Sequence, residues 1–160
     1  MEKFVNMNDR AEKYLQAFHD GEEFPGGLAF RKALLQVKLD YTVESLSRID
    51  RLLDQIRTKL RPEYGEFIDE PQNQNFLFLL CFYVGKVAAC NSNQVITWYD
   101  YEGMIRKIPD NGAMFPQCFE TAITCILNKR GFFVPLSSIC SRLFDESVDK
   151  SVRFSAEGFM

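Results

Sequence analysis

The chain of 160 residues is 46% apolar and 26% charged, a globular composition that excludes an intrinsically disordered chain and suits one domain with one hydrophobic core. Its net charge of -3 and isoelectric point near 5.3 argue against a nucleic-acid binder, because such proteins neutralise phosphates with a basic face.

The cysteines and the apolar segments indicate where the protein works. Five cysteines form no CxxC pair, which predicts buried thiols in a reducing compartment and neither disulfides nor a metal site. The N-terminal 20 residues are acidic from position 2 and do not resemble a secretory signal. The longest apolar stretch, residues 76–90, contains Lys86 and is shorter than the about 20 residues that span a bilayer. We therefore expect a soluble, cytoplasmic protein without a cofactor or a membrane partner.

The N-terminal part predicts two helices around a glycine-rich break. Residues 8–18 carry apolar side chains at helical spacing, with Asn8 or Asp9 as the cap. The segment GEEFPGG, residues 21–27, ends this helix, and a second helix is predicted over residues 28–39. GEEFPGG lacks the Lys-Ser/Thr pair and the preceding strand of phosphate-binding loops, so it indicates a helix–helix connection.

A third helix is the clearest element of the sequence. Thr42 is a good N-cap, Pro62 ends the pattern, and the apolar stripe between them predicts an amphipathic helix. Its apolar residues are Val43, Leu46, Ile49, Leu52, Leu53, Ile56 and Leu60. The opposite face has Asp50 and Asp54, and Arg57 and Arg61, four residues apart, which predicts a solvated surface of mixed charge without a site.

An acidic segment and a buried helix follow. Residues 63–74 are polar and acidic with interleaved aromatic residues, so they predict a mobile or partner-facing loop. Residues 75–90 are apolar nearly all round, which predicts a helix through the middle of the domain. Gly85 within it indicates close packing.

The second half predicts a small antiparallel sheet. Residues 94–101 (QVITWYDY) are rich in β-branched and aromatic residues, and residues 104–108 are expected to pair with them across Glu102-Gly103. A turn at residues 110–112 separates this pair from a third strand over residues 119–127, which turns at NKRG into residues 132–134.

Two C-terminal helices complete the expected fold. Pro135 can occupy the first turn of one helix, and residues 148–156 form a second, short one. Helices first and a sheet later predict an α+β fold, with N-terminal helices, one of them buried and central, packed on the sheet. We expect a single domain over residues 1–160, in which residues 1–38 form either part of the packed fold or a helical arm on a core of residues 39–156.

Candidate catalytic residues are few. His19 is the single histidine, so a triad mechanism must use it, and its position near a helix end favours a simple interaction with the helix dipole. The carboxylates of Asp100, Glu102 and Asp110 lie on or beside the predicted hairpin and could form an acid–base pair. Turns collect acidic residues for solubility as well, so both interpretations stay open.

Two segments have the composition of a partner-binding surface. Trp and Tyr are common at the energetic centres of interfaces, and opposite charge steers a basic partner towards acidic residues. Each segment also has an alternative interpretation. The aromatic strand packs against the buried helix, and the acidic segment is only a solvated connector. The candidate residues are Glu63, Tyr64, Glu66, Phe67, Asp69, Glu70, Trp98, Tyr99, Asp100, Tyr101 and Glu102.

The order of the segments FLLCFYVGKVAA, VITWYDY and FFVPLSSICSRLFDESVDKSVRF resembles an uncharacterised bacterial family of small α+β proteins known only as domains of unknown function. In that family a helix of the LGxYLGEV kind precedes a Trp-bearing strand, and a proline-led helix precedes a short serine-containing segment. The resemblance covers roughly residues 39–156, and Lys86 departs from it where the family has an acidic residue. The matching positions are Leu39-Asp40, Gly85, Trp98, Pro135, Arg142-Leu143 and Ser151.

Proteins of this sort are often neighbours of interbacterial toxins, so the resemblance implies an immunity protein. We therefore expect a non-enzymatic protein that binds a toxin or effector domain and blocks it. The alternatives are a small enzyme that uses the carboxylates of residues 94–110 and a homodimeric structural or regulatory module.

Overall fold

The computed structural model describes residues 6–145 and 151–160. Its helices pack on a small antiparallel sheet, which confirms the α+β class. The elements in chain order are α1 (Met7–His19), α2 (Arg31–Val37), α3 (Val43–Leu60), α4 (Tyr64–Asp69), α5 (Pro71–Asn91), β1 (Ile96–Asp100), α6 (Tyr101–Lys107), α7 (Asn111–Met114), a 3₁₀ turn (Phe119–Thr121), β2 (Ile123–Leu127), β3 (Gly131–Phe133), α8 (Pro135–Phe144) and α9 (Val152–Glu157).

Helix α5 is the centre of the fold, as its apolar composition predicts. From Asn75 to Ala89 every residue except Lys86 is buried, and α1, α3, α4, α8, α9 and the sheet all pack on this helix. Close packing at Gly85 is also confirmed, because a Cβ atom there would lie 2.5 Å from Cη2 of Trp98. A side chain at this position would therefore push β1 away from the core.

The sheet has the strand order β1-β2-β3, with Trp98 opposite Cys125 and Cys125 opposite Phe133. The strand predicted over residues 104–108 is wrong, because the chain enters α6 directly after β1. The cause is Asp100, whose Oδ1 accepts a hydrogen bond of 2.7 Å from the Gly103 amide and so acts as an N-cap. The partner of β1 is therefore β2, and no hairpin forms around Glu102.

The N-terminal helix packs on α5 and β1. Its cap is Asn6, whose Oδ1 accepts from the Asn8 amide at 2.8 Å, so the predicted caps Asn8 and Asp9 are wrong. The Asn8 side chain instead reaches the sheet, where its Oδ1 accepts from the Trp98 amide at 2.8 Å. This bond covers part of the outer edge of β1, an edge that would otherwise be free to pair.

Helix α3 begins as predicted, because Oγ of Thr42 accepts from the Ser45 amide at 3.2 Å. Its apolar stripe is buried except for half-buried Val43 and for Leu60, which is 60% exposed. Helix α2 is shorter than the predicted 28–39, since the left-handed backbone of Phe30 and Lys38 bounds it.

The segment predicted as an acidic loop over residues 63–74 is helical, and this prediction is wrong. The Glu63 carboxylate accepts from the Gly65 and Glu66 amides at 3.1 and 2.7 Å and so starts α4. The predicted turn at residues 110–112 likewise runs into the short helix α7.

Three further predictions concern the cysteines, the C-terminus and the membrane. All five cysteines are free, but Cys90 and Cys118 are exposed, so the prediction of buried thiols is wrong for these two.

The predicted helix over 148–156 begins at Val152, and residues 148–150 lie outside the described part of the chain. Among the described residues, no helix has both the length and the apolar character needed to cross a membrane.

Candidate partner-binding surface

The prediction of a solvated face on α3 is wrong for Asp50, which is buried, and holds for Arg61, which is exposed, while Asp54 and Arg57 are half-buried. Asp50 is only 6% exposed, and its carboxylate accepts from the amides of Val152 and Arg153 at 2.7 and 3.2 Å. These are the first amides of α9, which lack a partner within their own helix. The Asp50 carboxylate therefore fixes the C-terminal helix to α3.

Arginines join this face of α3 to α8. Nη2 of Arg142 lies 2.7 Å from Oδ2 of Asp54, and Nη1 of Arg57 lies 3.0 Å from Oδ1 of Asp54. The Arg57 guanidinium also donates to the Arg142 carbonyl. Burial raises the pKa of Asp50, although its amide bonds and Arg142 act against that rise. We call Asp50, Asp54, Arg57 and Arg142 the α3 charge cluster, and its charged groups form ion pairs with one another.

Helix α4 is anchored by two aromatic side chains. The buried ring of Phe67 lies 5.5 Å from the ring of Phe144 in an edge-on arrangement. The Tyr64 hydroxyl donates a hydrogen bond of 2.8 Å to Oε2 of Glu120. Burial, followed by this bond to a carboxylate, raises the pKa of Tyr64. Both predicted partner-binding aromatics of this segment therefore hold α4 on the core.

The outward side of α4 carries three carboxylates, those of Glu66, Asp69 and Glu70. All three residues are exposed, and their side chains have no hydrogen-bond or ion-pair partner within residues 6–145 and 151–160. We call these three residues the acidic face of α4. The exposed Glu63 differs, because its bonds to backbone amides lower its pKa and commit it to capping. The structure thus leaves three of the six predicted residues of this segment free for a partner.

The candidate residues of the aromatic strand have structural contacts. Trp98 is buried, with its ring edge-on to Phe82 at 5.1 Å, so the alternative reading of packing against the central helix applies to it. Tyr101 donates its hydroxyl proton to the Phe115 carbonyl at 2.9 Å. Tyr99 is half-buried, and Glu102 is exposed on the first turn of α6. The strand therefore supplies no exposed tryptophan anchor.

The predicted site residues divide between two places in the fold. Helix α4 packs on α5 near Glu120 and Phe144, whereas β1 packs on another part of α5 and on α1, α6 and β2. The hairpin expected to bring Asp100, Glu102 and Asp110 together is replaced by α6, and Asp100 is engaged as its cap. The exposed His19 ends α1 with Nδ1 at 3.2 Å from the Asp20 carboxylate.

A cleft between α1, the GEEFPGG segment and α5 was not anticipated from the sequence. The buried Asn75 builds it, because its Nδ2 donates to the carbonyls of Pro25 and Gly27 at 2.9 and 2.8 Å. Its Oδ1 accepts from the Tyr14 hydroxyl at 2.7 Å. The cleft has a volume of about 570 Å³ and is lined by Arg10, Lys13, Tyr14, Gln16, Ala17, Glu22, Glu23, Phe24, Pro25 and Asn75.

The sequence contains one signal for this cleft. Gly26 has a φ of +87°, and a Cβ atom there would lie 2.9 Å from Cβ of Pro71. Both facts require glycine at this position, so the glycine-rich segment follows the surface of α5 closely. GEEFPGG is thus a connection, as predicted, and also one wall of the cleft.

Comparison of the chain with protein-family models, with curated proteins and with solved structures finds no match in any of the three. The family resemblance of residues 39–156 stays a prediction. Within the described residues, no group of three or more His, Cys, Asp or Glu side chains is arranged to hold a metal ion.

Proposed function

We propose that the protein is a binding protein that inactivates a basic partner by direct contact, as an immunity protein does with an interbacterial toxin domain. The observation that carries this proposal is the acidic face of α4. Its three carboxylates are exposed and unpaired within the described chain, while the carboxylates of the α3 charge cluster are bonded internally. Glu66, Asp69 and Glu70 form a patch of one sign, whereas the exposed charged residues of α3 and its C-cap, namely Glu44, Arg51, Lys59 and Arg61, are of both signs.

The anchoring of α4 supports a role in recognition. Phe67 and Tyr64 fix the helix to the core, so the backbone that carries the carboxylates is in place before a partner arrives. Such preorganisation reduces the entropy lost on binding. Unpaired charge of one sign also accelerates the encounter with an oppositely charged surface by about 10- to 1000-fold at low salt.

The test is a pull-down of the tagged protein co-expressed with the products of adjacent genes, followed by association kinetics with the captured toxin domain. The α4 variant is Glu66→Gln/Asp69→Asn/Glu70→Gln. The matched control is Asp9→Asn/Glu44→Gln/Asp110→Asn, which removes the same charge at exposed positions elsewhere. We expect the α4 variant to lower the association rate at least about tenfold at low salt, and the control to leave it unchanged.

Equal association rates for wild type and the α4 variant would remove this surface from the proposal. The absence of any partner, together with turnover of a substrate that Asp100→Asn or Asp110→Asn abolishes, would favour a carboxylate enzyme instead. Light scattering separates the remaining alternative, because a homodimeric module has twice the mass of the chain in solution.

A further inference from the structure

One wall of the cleft between α1 and α5 carries two cations that lack an anionic partner. The Arg10 guanidinium carbon lies 5.0 Å from the centre of the Phe78 ring and 5.5 Å from that of Tyr14, and Nη2 lies 3.5 Å from the Tyr14 hydroxyl. These contacts orient the guanidinium without neutralising it. Lys13 lies three residues further along α1, on the same side of the helix. Within the described residues neither side chain pairs with a carboxylate.

The opposite wall carries two free anions. Glu22 and Glu23 are exposed, and their carboxylates have no partner in the described ranges. Arg31 donates a hydrogen bond of 2.8 Å to the backbone carbonyl of Glu22, and its guanidinium carbon lies 5.5 Å from the centre of the Phe24 ring. The cleft therefore has cations on one wall and anions on the other, and no ion pair joins the two walls within the described residues.

An aromatic floor separates the two walls. The rings of Tyr14 and Phe24 meet edge-on, with centroids 5.4 Å apart, and the small side chain of Ala17 leaves space beside them. The Tyr14 hydroxyl and both polar atoms of the Asn75 amide are already bonded. The middle of the cleft thus offers apolar surface, and free charged groups lie at its walls.

We propose that this cleft binds a free aromatic amino acid. The aromatic ring lies on Tyr14 and Phe24, the carboxylate faces Arg10 and Lys13, and the ammonium group faces Glu22 and Glu23. The cleft volume of about 570 Å³ lies within the range of sites that enclose small molecules. This binding site is separate from the acidic face of α4, and neither proposal depends on the other.

The test is a ¹⁵N NMR titration of the full chain with four probes. L-phenylalanine has the aromatic ring and both charged groups. Of the other probes, 3-phenylpropanoate lacks the ammonium group, 2-phenylethylamine lacks the carboxylate, and L-alanine lacks the ring. We expect saturable shifts for phenylalanine at the amides of residues 10–24 and of Asn75. Each probe that lacks one group binds at least about tenfold more weakly, because two of them lose a charge-assisted contact and L-alanine loses the burial of the ring.

Surface variants assign the ends of the ligand. Glu22→Gln/Glu23→Gln weakens phenylalanine and 2-phenylethylamine and leaves 3-phenylpropanoate unchanged. Lys13→Gln weakens phenylalanine and 3-phenylpropanoate and leaves 2-phenylethylamine unchanged. The control Lys32→Gln removes an exposed charge on α2 and changes none of the three affinities.

Two results overturn the proposal. One is the absence of saturable shifts with phenylalanine up to about 10 mM. The dissociation constant would then exceed this concentration, which is too weak for a specific binding site. The other is that the four probes bind with equal affinity, or that the variants of the two walls bind phenylalanine as tightly as the wild type does. Ala17→Trp fills the cleft and abolishes binding if the ligand lies there, and its circular dichroism spectrum establishes that the variant is folded.

Discussion

Helices α3 and α4 each carry a charged face, and the two faces differ in whether their carboxylates are bonded within the protein. The α3 face receives the amides of α9 and the guanidinium of Arg142, so its carboxylates are bonded within the protein. The α4 face receives no such partner from the described chain, and its carboxylates point into solvent. On the sequence alone both faces show acidic residues at helical spacing.

The difference shows that the role of a charge depends on chain segments far away from it. Asp50 bonds residues 102 and 103 positions later. Burying a carboxylate costs several kcal/mol unless hydrogen bonds replace its water, and the α9 amides supply those bonds. Charges of the α3 cluster therefore act on stability, and charges of the α4 face are free to act on binding.

The largest expected effect comes from Asp50→Ala. This change leaves the Val152 and Arg153 amides without an acceptor and removes one anion from beside Arg142. We expect the free energy of unfolding, measured by urea denaturation, to fall by about 3 kcal/mol. Asp69→Ala on α4 is the matched control and changes it by less than about 0.5 kcal/mol. Equal effects of the two variants would abolish the distinction between the faces.

The pH dependence of Asp50 gives a second, smaller effect. Burial raises the pKa of the Asp50 carboxyl group in the folded state. At pH values between the unfolded pKa of about 3.9 and this raised pKa, the folded protein therefore binds more protons than the unfolded chain. The stability due to Asp50 is fully present below pH of about 3.9 and decreases as the pH rises through the raised pKa. The cost of Asp50→Asn should therefore fall as the pH rises from about 4 in urea titrations. A cost that grows with pH would mean that the carboxylate is stabilised as an anion overall.

The anchoring of α4 is tested by Tyr64→Phe, which removes the hydroxyl that donates to Glu120 and keeps the ring against Phe144. We expect a loss of about 1 kcal/mol in the free energy of unfolding. Relative to the wild type, amide hydrogen exchange should accelerate more in α4 than in α3. Tyr99→Phe is the control, since the Tyr99 hydroxyl has no bond within the described residues. Unchanged exchange in α4 would show that Phe67 alone holds the helix.

Much of the fold follows from local patterns in the sequence. The stripe between Thr42 and Leu60 predicts α3, and the continuous apolar run predicts the burial of α5. The β-branched and aromatic residues around Trp98 predict β1, and NKRG predicts the turn between β2 and β3. In each case the signal extends over enough residues for its period to be read.

The errors occur where the signal is short or lies elsewhere in the chain. Helix α4 is six residues long, and its spacing of Tyr64, Phe67 and Ile68 is outweighed by the polar residues around them. Helix α6 depends on one side-chain cap, that of Asp100, in a segment whose Glu102-Gly103 pair also predicts a turn. The burial of Asp50 and the cleft at Asn75 depend on contacts between distant segments, which periodicity does not report.

The smallest expected effect on stability is that of Glu66→Gln/Asp69→Asn/Glu70→Gln. Because none of these side chains has a partner in the described chain, we expect the free energy of unfolding to change by less than about 0.5 kcal/mol. Relief of repulsion among three like charges on one helix face would make the change a gain and not a loss. Urea denaturation at low and high salt measures this, and the gain should vanish at high salt. A loss above about 1 kcal/mol would show that the α4 carboxylates, like those of α3, are committed to the fold, and the contrast between the two faces would be lost.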